Sequence, residues 1–339
     1  MAGDTSTEVS EPAAGPLRGG VDLGGTKIQA VVVDARNAVA GQSRAPTPTT
    51  GGPADVTAAM AAALRAAAQE AGVETAELAH VGVGSPGSVD AAAGTVASAR
   101  NLPGWEGSYA LAAELAALLA TGVALGNDVQ VATNAEAQLG AGRGRRSMLG
   151  VFWGTGVGGG IVLDGRPWLG RGGAGEIGHV VVQLGGAPCP CGRRGCMEAY
   201  AGRGAMERRA RELHAAGAET ELFELARRRG RERLTSGVWA AALKRGDPLA
   251  TELVDRAVEA LGAGVASVDN VLDVEVVILG GGLGVRFGQA YADRISGAML
   301  PHLFHDHRPP PVVVAELGDL GGAIGASMLT PAAAAGAVG

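Results

Sequence analysis

Short apolar runs alternate with longer stretches of helical spacing along this chain, and glycine-rich turns separate many of them. Apolar runs at 28–33 and 81–83 have the length of buried strands, and the Ala-rich segment from Pro53 to Gly72 has the spacing of a helix that ends at a glycine. Further strands are predicted at 123–125, 149–153, 161–163, 274–279 and 312–315, and further helices at 109–120, 129–139, within 198–271 and at 321–329. This alternation predicts an α/β protein.

One local arrangement occurs twice, which indicates two similar halves. A strand, a glycine-rich turn and a second strand follow one another at 20–33 and again at 149–163. Two such halves predict two lobes around a cleft. We expect a disordered leader, an N-terminal α/β lobe, a C-terminal α/β lobe and a flexible tail, over residues 1–19, 20–126, 127–320 and 331–339. A closing helix at 321–330 is expected to pack back on the N-terminal lobe.

The composition excludes several classes of protein. The 339 residues include 47% hydrophobic side chains, enough for sizeable cores, and carry a net charge of -6 with acidic and basic residues interspersed. The sequence has no basic stripe of the kind that binds nucleic acid. It also has no apolar run that reaches the roughly 18 residues of a membrane helix. The three cysteines, all within 189–196, indicate a metal in a reducing compartment rather than a secreted disulfide framework. We therefore expect a cytoplasmic protein.

Three glycine-rich turns are candidate phosphate-binding elements, because glycine lets backbone N–H groups approach an anion closely. The first, Asp22 to Lys27, matches neither the P-loop nor the dinucleotide-binding pattern. The second spans 154–160, and the third spans 280–282 after an apolar strand. The first two also fit ordinary hairpins, whereas the three together predict a nucleotide held from both sides. The candidate residues are Asp22, Gly24, Gly25, Thr26, Lys27, Gly154, Thr155, Gly156, Gly158, Gly280, Gly281 and Gly282.

Asp128 is the candidate general base. The pair Asn127–Asp128 follows the short strand 123–125, and open α/β sheets bind their ligands where strands end. A carboxylate there can accept the proton of an attacking hydroxyl, as a general base does in phosphoryl transfer to alcohols. The alternative role is an N-cap of the following helix, and position alone favours the cap.

The most specific local pattern is His179 followed, after nine residues, by Cys189-Pro-Cys191-Gly-Arg-Arg-Gly-Cys196. One imidazole and three thiolates complete a tetrahedral zinc set with no open position, which indicates a structural ion rather than a catalytic one. The alternative is three buried free cysteines and a surface histidine. Glu176 lies three residues before His179 and Glu198 two residues after Cys196, so the metal would fix both carboxylates.

Three further polar candidates, Glu176, Glu198 and Asn101, also have a plain structural interpretation. Glu176 and Glu198 fit solvated surface charges, which most glutamates are. Asn101, in the stretch Asn101-Leu-Pro-Gly-Trp105, is typical of a turn. Residue type and spacing alone do not separate these roles from ligand binding.

These motifs resemble those of the ROK family, named for repressors, open reading frames and kinases, and in particular those of its glucokinases. The similarity runs from about Val21 to Ala326, and its most specific element is Glu176-Ile-Gly-His179 together with the cysteine segment through Glu198. The resemblance implies a two-lobed actin-like, or ribonuclease-H-like, ATPase fold with a structural zinc loop. It also implies transfer of a phosphoryl group from ATP to the 6-hydroxyl of a hexose, with glucose as the expected sugar.

The resemblance further implies roles for particular residues. The turns at 22–27 and 154–159 would hold the phosphates of ATP, and 280–282 would border the adenosine. The magnesium ion would be held largely by the phosphates and by waters that Asp22 orients. Asp128 matches the catalytic base. The positions that match sugar ligands are Gly87, Asn101, Asn127, Asp128, Glu176, His179 and Glu198. The positions that match structural zinc ligands are His179, Cys189, Cys191 and Cys196, so that one ring nitrogen of His179 would face the zinc and the other the sugar.

Two positions depart from the family pattern and leave local packing and sugar preference open. Gly126 stands where many family glucokinases have Glu, and Gln130 where Asn is common. The alternative substrates are mannose, fructose, allose, N-acetylglucosamine and N-acetylmannosamine. Polyphosphate is the alternative phosphoryl donor.

The alternatives from another class are a sugar-responsive repressor and a sugar-binding protein without catalysis. Repressors of the family carry an N-terminal helix-turn-helix domain, for which the turn beginning at Asp22 is expected to leave no room. The intact Asp128 and both phosphate turns favour catalysis. The expected partners are a sugar and ATP, with neither nucleic acid nor a membrane, and the resemblance suggests a homodimer or higher homo-oligomer.

Overall fold

The computed structural model describes residues 15–99 and 101–331. Most of the predicted leader, 1–19, and nearly all of the predicted tail, 331–339, lie outside the described residues. The first strand begins at Arg18, two residues before the predicted start of the folded chain. Among the described residues, no helix has the length and apolar character needed to cross a membrane.

The chain forms strands and helices in alternation. From the N-terminus these are β1 (Arg18–Leu23), β2 (Lys27–Val33), β3 (Val39–Pro46), α1 (Pro53–Glu70), β4 (Val81–Ser85), β5 (Ser88–Asp90), β6 (Thr95–Ala97), β7 (Ser108–Tyr109), α2 (Leu111–Leu119) and β8 (Val123–Asn127). There follow α3 (Asp128–Leu139), β9 (Met148–Trp153), β10 (Val157–Leu163), β11 (Arg166–Pro167), α4 (Glu198–Ala201), α5 (Arg203–Ala215), α6 (Leu222–Arg228), α7 (Ser236–Lys244), α8 (Pro248–Leu272), β12 (Val276–Gly280), α9 (Gly281–Phe287), α10 (Gln289–Met299), β13 (Val312–Val314) and α11 (Gly321–Ser327).

The described residues fall into two compact units. The first contains the residues up to Asp128 together with those from Gly322 onwards, and the second contains 129–321. Each unit has its own five-stranded sheet and its own hydrophobic core.

The first unit is built on a sheet with strand order β3-β2-β1-β4-β8. β1 pairs antiparallel with β2 and parallel with β4, and β4 pairs parallel with β8. All but the first residue of β2 are buried, and apart from Gln29 the buried residues are apolar, as expected of an interior strand with both faces covered. Helix α1 starts at Pro53 and buries Val56, Met60 and Leu64, which share one face at helical spacing.

The second unit repeats this arrangement. Its sheet has the order β11-β10-β9-β12-β13, in which β9 is antiparallel to β10 and parallel to β12, and β12 is parallel to β13. Two sheets with the same order and the same strand directions confirm the predicted α/β class and the repeated strand–turn–strand unit. The 25-residue helix α8 is capped by Asp247, whose side chain accepts a hydrogen bond of 2.8 Å from the N–H of Ala250.

The glycines at 158–160 lie in strand β10 rather than in the turn that the sequence predicted. The sequence predicted one long turn over 154–160, but only Gly154 to Gly156 turn, and β10 already begins at Val157. Glycine occupies the strand because neighbouring segments approach it closely. A Cβ at Gly159 would lie 2.6 Å from the Ile177 side chain, and one at Gly160 would lie 2.3 Å from the Thr133 hydroxyl.

The third glycine turn also has a different form from the first two. Gly280 is the last residue of β12, and Gly281 starts helix α9 with φ of +79°. A Cβ at Gly281 would lie 2.6 Å from the carbonyl oxygen of Trp153. The strand therefore passes directly into a helix at a point where only glycine fits.

The closing helix α11 lies against the first sheet through two glycines. A Cβ at Gly20 in β1 would lie 2.0 Å from the Ala323 carbonyl oxygen, and one at Gly82 in β4 would lie 1.7 Å from the Ala326 carbonyl oxygen. Such distances are far below van der Waals contact, so the helix backbone rests on the bare strands.

Replacing Gly82 with alanine should therefore displace α11. We expect Gly82→Ala to lower the free energy of unfolding by about 1–3 kcal/mol or more, the usual cost of overpacking a core. Gly297→Ala is the control, since a Cβ there meets nothing within 4 Å and the residue lies inside helix α10. It should raise stability by up to about 1 kcal/mol. Denaturant unfolding of both variants measures this, and equal stability of the two would contradict the close approach.

Candidate active site

The first glycine turn joins β1 to β2 and is closed by its own backbone and by Thr47. The N–H of Gly24 donates to the Lys27 carbonyl oxygen at 2.9 Å. The Thr47 hydroxyl donates to the Gly24 carbonyl oxygen at 2.6 Å, and the Thr47 N–H donates to the Thr26 carbonyl oxygen at 3.3 Å. The ammonium group of Lys27 donates to Gln29, so the lysine lies along β2. The turn therefore has a fixed shape before any ligand binds.

Several candidate residues of the first unit lie at one edge of its sheet. β1, β4 and β8 run parallel, and Asp22, Gly87 and Asn127 lie at or just beyond their carboxyl ends. This is the edge at which open α/β sheets bind ligands. Gly87 has φ of +91°, and a Cβ there would lie 2.6 Å from the Ala97 carbonyl oxygen, so no other residue fits.

Asn101 and Asp128 complete the candidate set of the first unit. The Asn101 side-chain nitrogen would lie 3.1 Å from a Cβ on Gly25, so this asparagine lies next to the first glycine turn. Asp128 is half-buried and is the first residue of α3, immediately after β8. A carboxylate in the first turn of a helix interacts favourably with the free backbone N–H groups there.

The second glycine turn joins β9 to β10 and is held by two neighbouring helices. The N–H of Gly154 donates to the Gly156 carbonyl oxygen at 3.0 Å. From α4, the Glu198 carboxylate accepts a hydrogen bond of 2.9 Å from the N–H of Val157. The alternative of a solvated surface charge is therefore wrong for Glu198, which is half-buried and bonded to the turn.

Arg203 is a neighbour of this turn that the sequence analysis missed. It opens α5, its N–H donates to the Gly154 carbonyl oxygen at 3.1 Å, and its guanidinium donates to the Thr155 hydroxyl at 2.8 Å. The 48 residues that separate Arg203 from Thr155 give no spacing signal, so only packing reveals the contact. The arginine places a positive charge beside the candidate phosphate turn.

The third glycine turn lies next to the second. A Cβ on Gly154 would lie 3.8 Å from the backbone nitrogen of Gly282. β9 and β12 are adjacent parallel strands, which explains why their ends meet. The second unit thus brings Gly154–Gly156 and Gly280–Gly282 together at the carboxyl ends of its parallel strands.

The four residues predicted as metal ligands come together in the structure and form a candidate metal centre. The candidate ligand atoms of His179, Cys189, Cys191 and Cys196 all lie within 4.8 Å of one another. Cys189 Sγ lies 3.8 Å from His179 Nδ1, and Cys191 Sγ lies 3.7 Å from Cys196 Sγ. Sulfurs around a tetrahedral zinc with bonds of about 2.3 Å lie about 3.8 Å apart. The cluster fits a structural zinc ion.

The loop reaches this geometry through short backbone contacts. Val181 bridges antiparallel to Cys196, and Pro188 bridges to Arg194. The N–H of Cys189 donates to the Arg193 carbonyl oxygen at 2.9 Å, and Gly192 takes a positive φ of +89° in the tight turn between them. The chain therefore doubles back and brings the cysteines to one point.

The thiols differ in acidity in the metal-free chain. Burial is the largest effect on Cys189 and raises its pKa to about 12. A hydrogen bond from the Arg193 backbone is the largest effect on Cys191 and lowers its pKa to about 6. Since zinc binds thiolates and burial disfavours the thiolate of Cys189, zinc binding displaces a proton from Cys189.

The other nitrogen of His179 faces Glu176. His179 Nε2 lies 3.9 Å from Glu176 Oε2, while Nδ1 faces the cysteines. The Glu176 side chain is 66% exposed. One departure from the family pattern is explained here, because the Gln130 side chain donates to the Ala174 carbonyl oxygen at 2.7 Å and so ties α3 to the segment before Glu176. Nothing in the structure explains Gly126, which pairs with Gly84 in the sheet.

Removing one zinc ligand should release the metal. We expect one zinc per chain by elemental analysis of protein purified without chelator, and none in Cys191→Ser, which changes the least buried of the three thiols. Loss of a ligand present at 100 times its Kd lowers the free energy of unfolding by about 2.7 kcal/mol. Leu184→Ser, at a 93% exposed position of the same loop, is the control and should keep its zinc. Full zinc content in Cys191→Ser would contradict the ligand set.

Comparison with known proteins gives the same family as the motifs. The ROK family matches residues 18–333. The glucokinase of Thermotoga maritima is 35% identical over 265 residues, which cover 78% of this chain and 81% of that protein. The N-acetylgalactosamine kinase of Shewanella sp. ANA-3 is 34% identical over 319 residues, which cover 91% of this chain and 95% of that protein. The ROK family glucokinase of Streptomyces griseus, solved with glucose and AMPPNP, superimposes with a TM-score of 0.79 at 31% identity, covering 92% and 98% of the two chains.

The chain therefore belongs to the ROK family. Its two sheets have the α/β fold of the ROK sugar kinases, which is of the actin-like ATPase class, as the resemblance implied.

Proposed function

We propose that this ROK-type sugar kinase transfers the γ-phosphoryl group of ATP to the 6-hydroxyl of glucose, with Asp128 as the general base. The observation that carries the proposal is the position of Asp128. It opens α3 directly after β8, at the sheet edge that also holds Asp22 and Gly87. In the family pattern the corresponding aspartate is the catalytic base.

The proposed role of Asp128 is to take a proton. Its carboxylate accepts the proton of the sugar 6-hydroxyl as the oxygen attacks the γ-phosphorus in line, and ADP leaves with the electron pair of the broken bond. Water must be excluded from the active site during this step, because it would compete with the sugar hydroxyl as acceptor of the phosphoryl group.

The proposed nucleotide ligands are the three glycine turns. The proposed phosphate donors are backbone N–H groups at 22–27 and 154–158 other than those of Gly24, Gly154 and Val157, which already donate within the protein, and 280–282 borders adenosine. Support comes from the fixed shape of the turns, one closed by Thr47 and the other by Glu198 and Arg203. Magnesium, when bound to the phosphates, offsets their negative charge, and Asp22 supplies a carboxylate of the kind that orients its water shell.

The proposed sugar ligands are the residues that match the sugar-binding positions of the family. These are Gly87, Asn101, Asn127, Asp128, Glu176, His179 and Glu198. Support for His179 comes from its ring orientation, with Nδ1 toward the cysteines and Nε2 toward Glu176. A metal on Nδ1 would fix the tautomer and leave Nε2 for a sugar hydroxyl.

Replacing Asp128 with asparagine tests the base. We expect Asp128→Asn to lower kcat by about 10²–10⁴-fold, because the amide cannot accept the proton, while the Kd for the sugar changes little. A coupled ADP-release assay measures kcat, and calorimetry measures sugar binding. Asp293→Asn, an exposed position on α10, is the control and should keep full activity. Turnover near that of the unchanged protein in Asp128→Asn would overturn the assignment.

A panel of sugars and donors tests the substrate. With magnesium and ATP, we expect the highest kcat/KM for glucose, ahead of mannose, fructose, allose and the N-acetylhexosamines, with the new phosphate at carbon 6 by NMR. Polyphosphate is tested as donor by following the sugar phosphate directly. Preference for an N-acetylated sugar, the substrate class in the name of the Shewanella relative, would keep the mechanism and change the substrate. No turnover by folded, zinc-loaded protein with any sugar and donor would refute the kinase proposal.

The family resemblance also supports a cytoplasmic homodimer or higher homo-oligomer. Light scattering of the same preparation measures the oligomeric state, and a single-chain mass would contradict it.

A further inference from the structure

A cavity of about 360 Å³ in the second unit lies apart from the glycine turns. One wall comes from the segment between His179 and Cys196, which we call the zinc loop, with Gln183, Ala187 and Arg194. The other walls come from α4, α5 and α8. Its volume is within the range of about 300–1,000 Å³ typical of small-molecule sites. None of the residues assigned above to zinc, sugar or nucleotide lines it.

Arginines dominate the charge of this cavity, which we call the arginine pocket. Four arginines line it, together with a single carboxylate, Glu212. The four are Arg194, Arg208, Arg209 and Arg256. The pocket therefore carries a formal charge of +4 − 1 = +3, in a chain whose net charge is -6. The positive charge is therefore concentrated in the pocket, whereas the chain as a whole is acidic.

Most of this positive charge has no carboxylate partner. Glu212 accepts a hydrogen bond of 3.2 Å from Arg209. Within the part of the chain that the structure describes, no carboxylate lies within ion-pair distance of Arg194, Arg208 or Arg256. All four arginines are exposed, so their side chains are accessible to a ligand from solvent, and an anion among them would offset their mutual repulsion.

The inner wall of the pocket is already ordered. Tyr200 is 7% exposed, and its hydroxyl accepts a hydrogen bond of 2.7 Å from the N–H of Ala187 and donates one of 2.7 Å to Gln183. The guanidinium of Arg256 lies 4.8 Å from the centre of the Tyr200 ring, in cation–π contact. One arginine of the pocket is therefore held in place by the wall behind it.

We propose that the arginine pocket binds a small phosphorylated anion that carries two or more negative charges. Guanidinium groups match phosphate oxygens with paired, charge-assisted hydrogen bonds, which is why arginine is the preferred residue for binding phosphate groups. The apolar lining beside the arginines, from Met206 and Leu253, suits the carbon skeleton of a phosphorylated metabolite. The proposal does not depend on which sugar the protein phosphorylates.

Calorimetric titration of the zinc-loaded full chain tests the proposal. The protein is first saturated with the sugar that gives the highest kcat/KM in the panel and with a non-hydrolysable ATP analogue, so that the proposed catalytic site is filled. The probes are glucose 6-phosphate, 3-phosphoglycerate and inorganic phosphate. We expect one site per chain, with the phosphorylated metabolites bound at least as tightly as inorganic phosphate.

Charge-matched variants identify the site. Arg208→Gln combined with Arg256→Gln should weaken binding tenfold or more. Arg227→Gln combined with Arg228→Gln is the control, because it removes the same charge from exposed α6 arginines that pair with Glu224 outside the pocket. Binding to the control should be unchanged, and circular dichroism confirms that both variants fold.

Four results would overturn the proposal. The first is the absence of binding by every probe at millimolar concentration. The second is an equal loss in both double variants, which would reduce the effect to net charge. The third is binding that disappears when the catalytic site is filled. The fourth is a change of oligomeric state in the pocket variant without anion binding, which would make the arginines an interface between chains.

Discussion

The contact among three cysteine thiols and one imidazole is the constraint on which the candidate site of the second unit depends. The zinc loop has little apolar material of its own, and the small core cluster around Cys189 and Cys196 adds only a few residues from α4 and α8. A metal that binds the four ligands would replace the missing core. The same ligands set the direction of the His179 ring and bring the chain to the start of α4, where Glu198 reaches the second glycine turn.

The two units place a glycine turn at the same position in the same strand arrangement. In each, an antiparallel hairpin meets a parallel strand, and a glycine turn lies where the strands end. Under the proposed function, bare backbone there would leave N–H groups accessible to the phosphates of ATP, because no side chain shields them. The supports differ, since Thr47 closes the first turn, whereas Glu198 and Arg203 hold the second.

Close packing against neighbouring segments explains several of the glycines outside the turns. Gly20 and Gly82 let α11 rest on the first sheet, and Gly159 and Gly160 let β10 lie against the segment at Ile177 and against α3. Such glycines serve packing, yet in the sequence they look like turn residues. This explains why the predicted second turn was too long.

The sequence by itself determined the α/β class, the repeated strand–turn–strand unit and the zinc ligands. These depend on local periodicity and on residue types whose chemistry leaves few alternatives, as with a histidine and three cysteines at close spacing. Only the tertiary structure decided that Glu198 bonds the second turn, that Arg203 supports it, and that four arginines share one cavity with a single carboxylate. These contacts join segments tens of residues apart, and their existence depends on how helices pack rather than on any pattern along the chain.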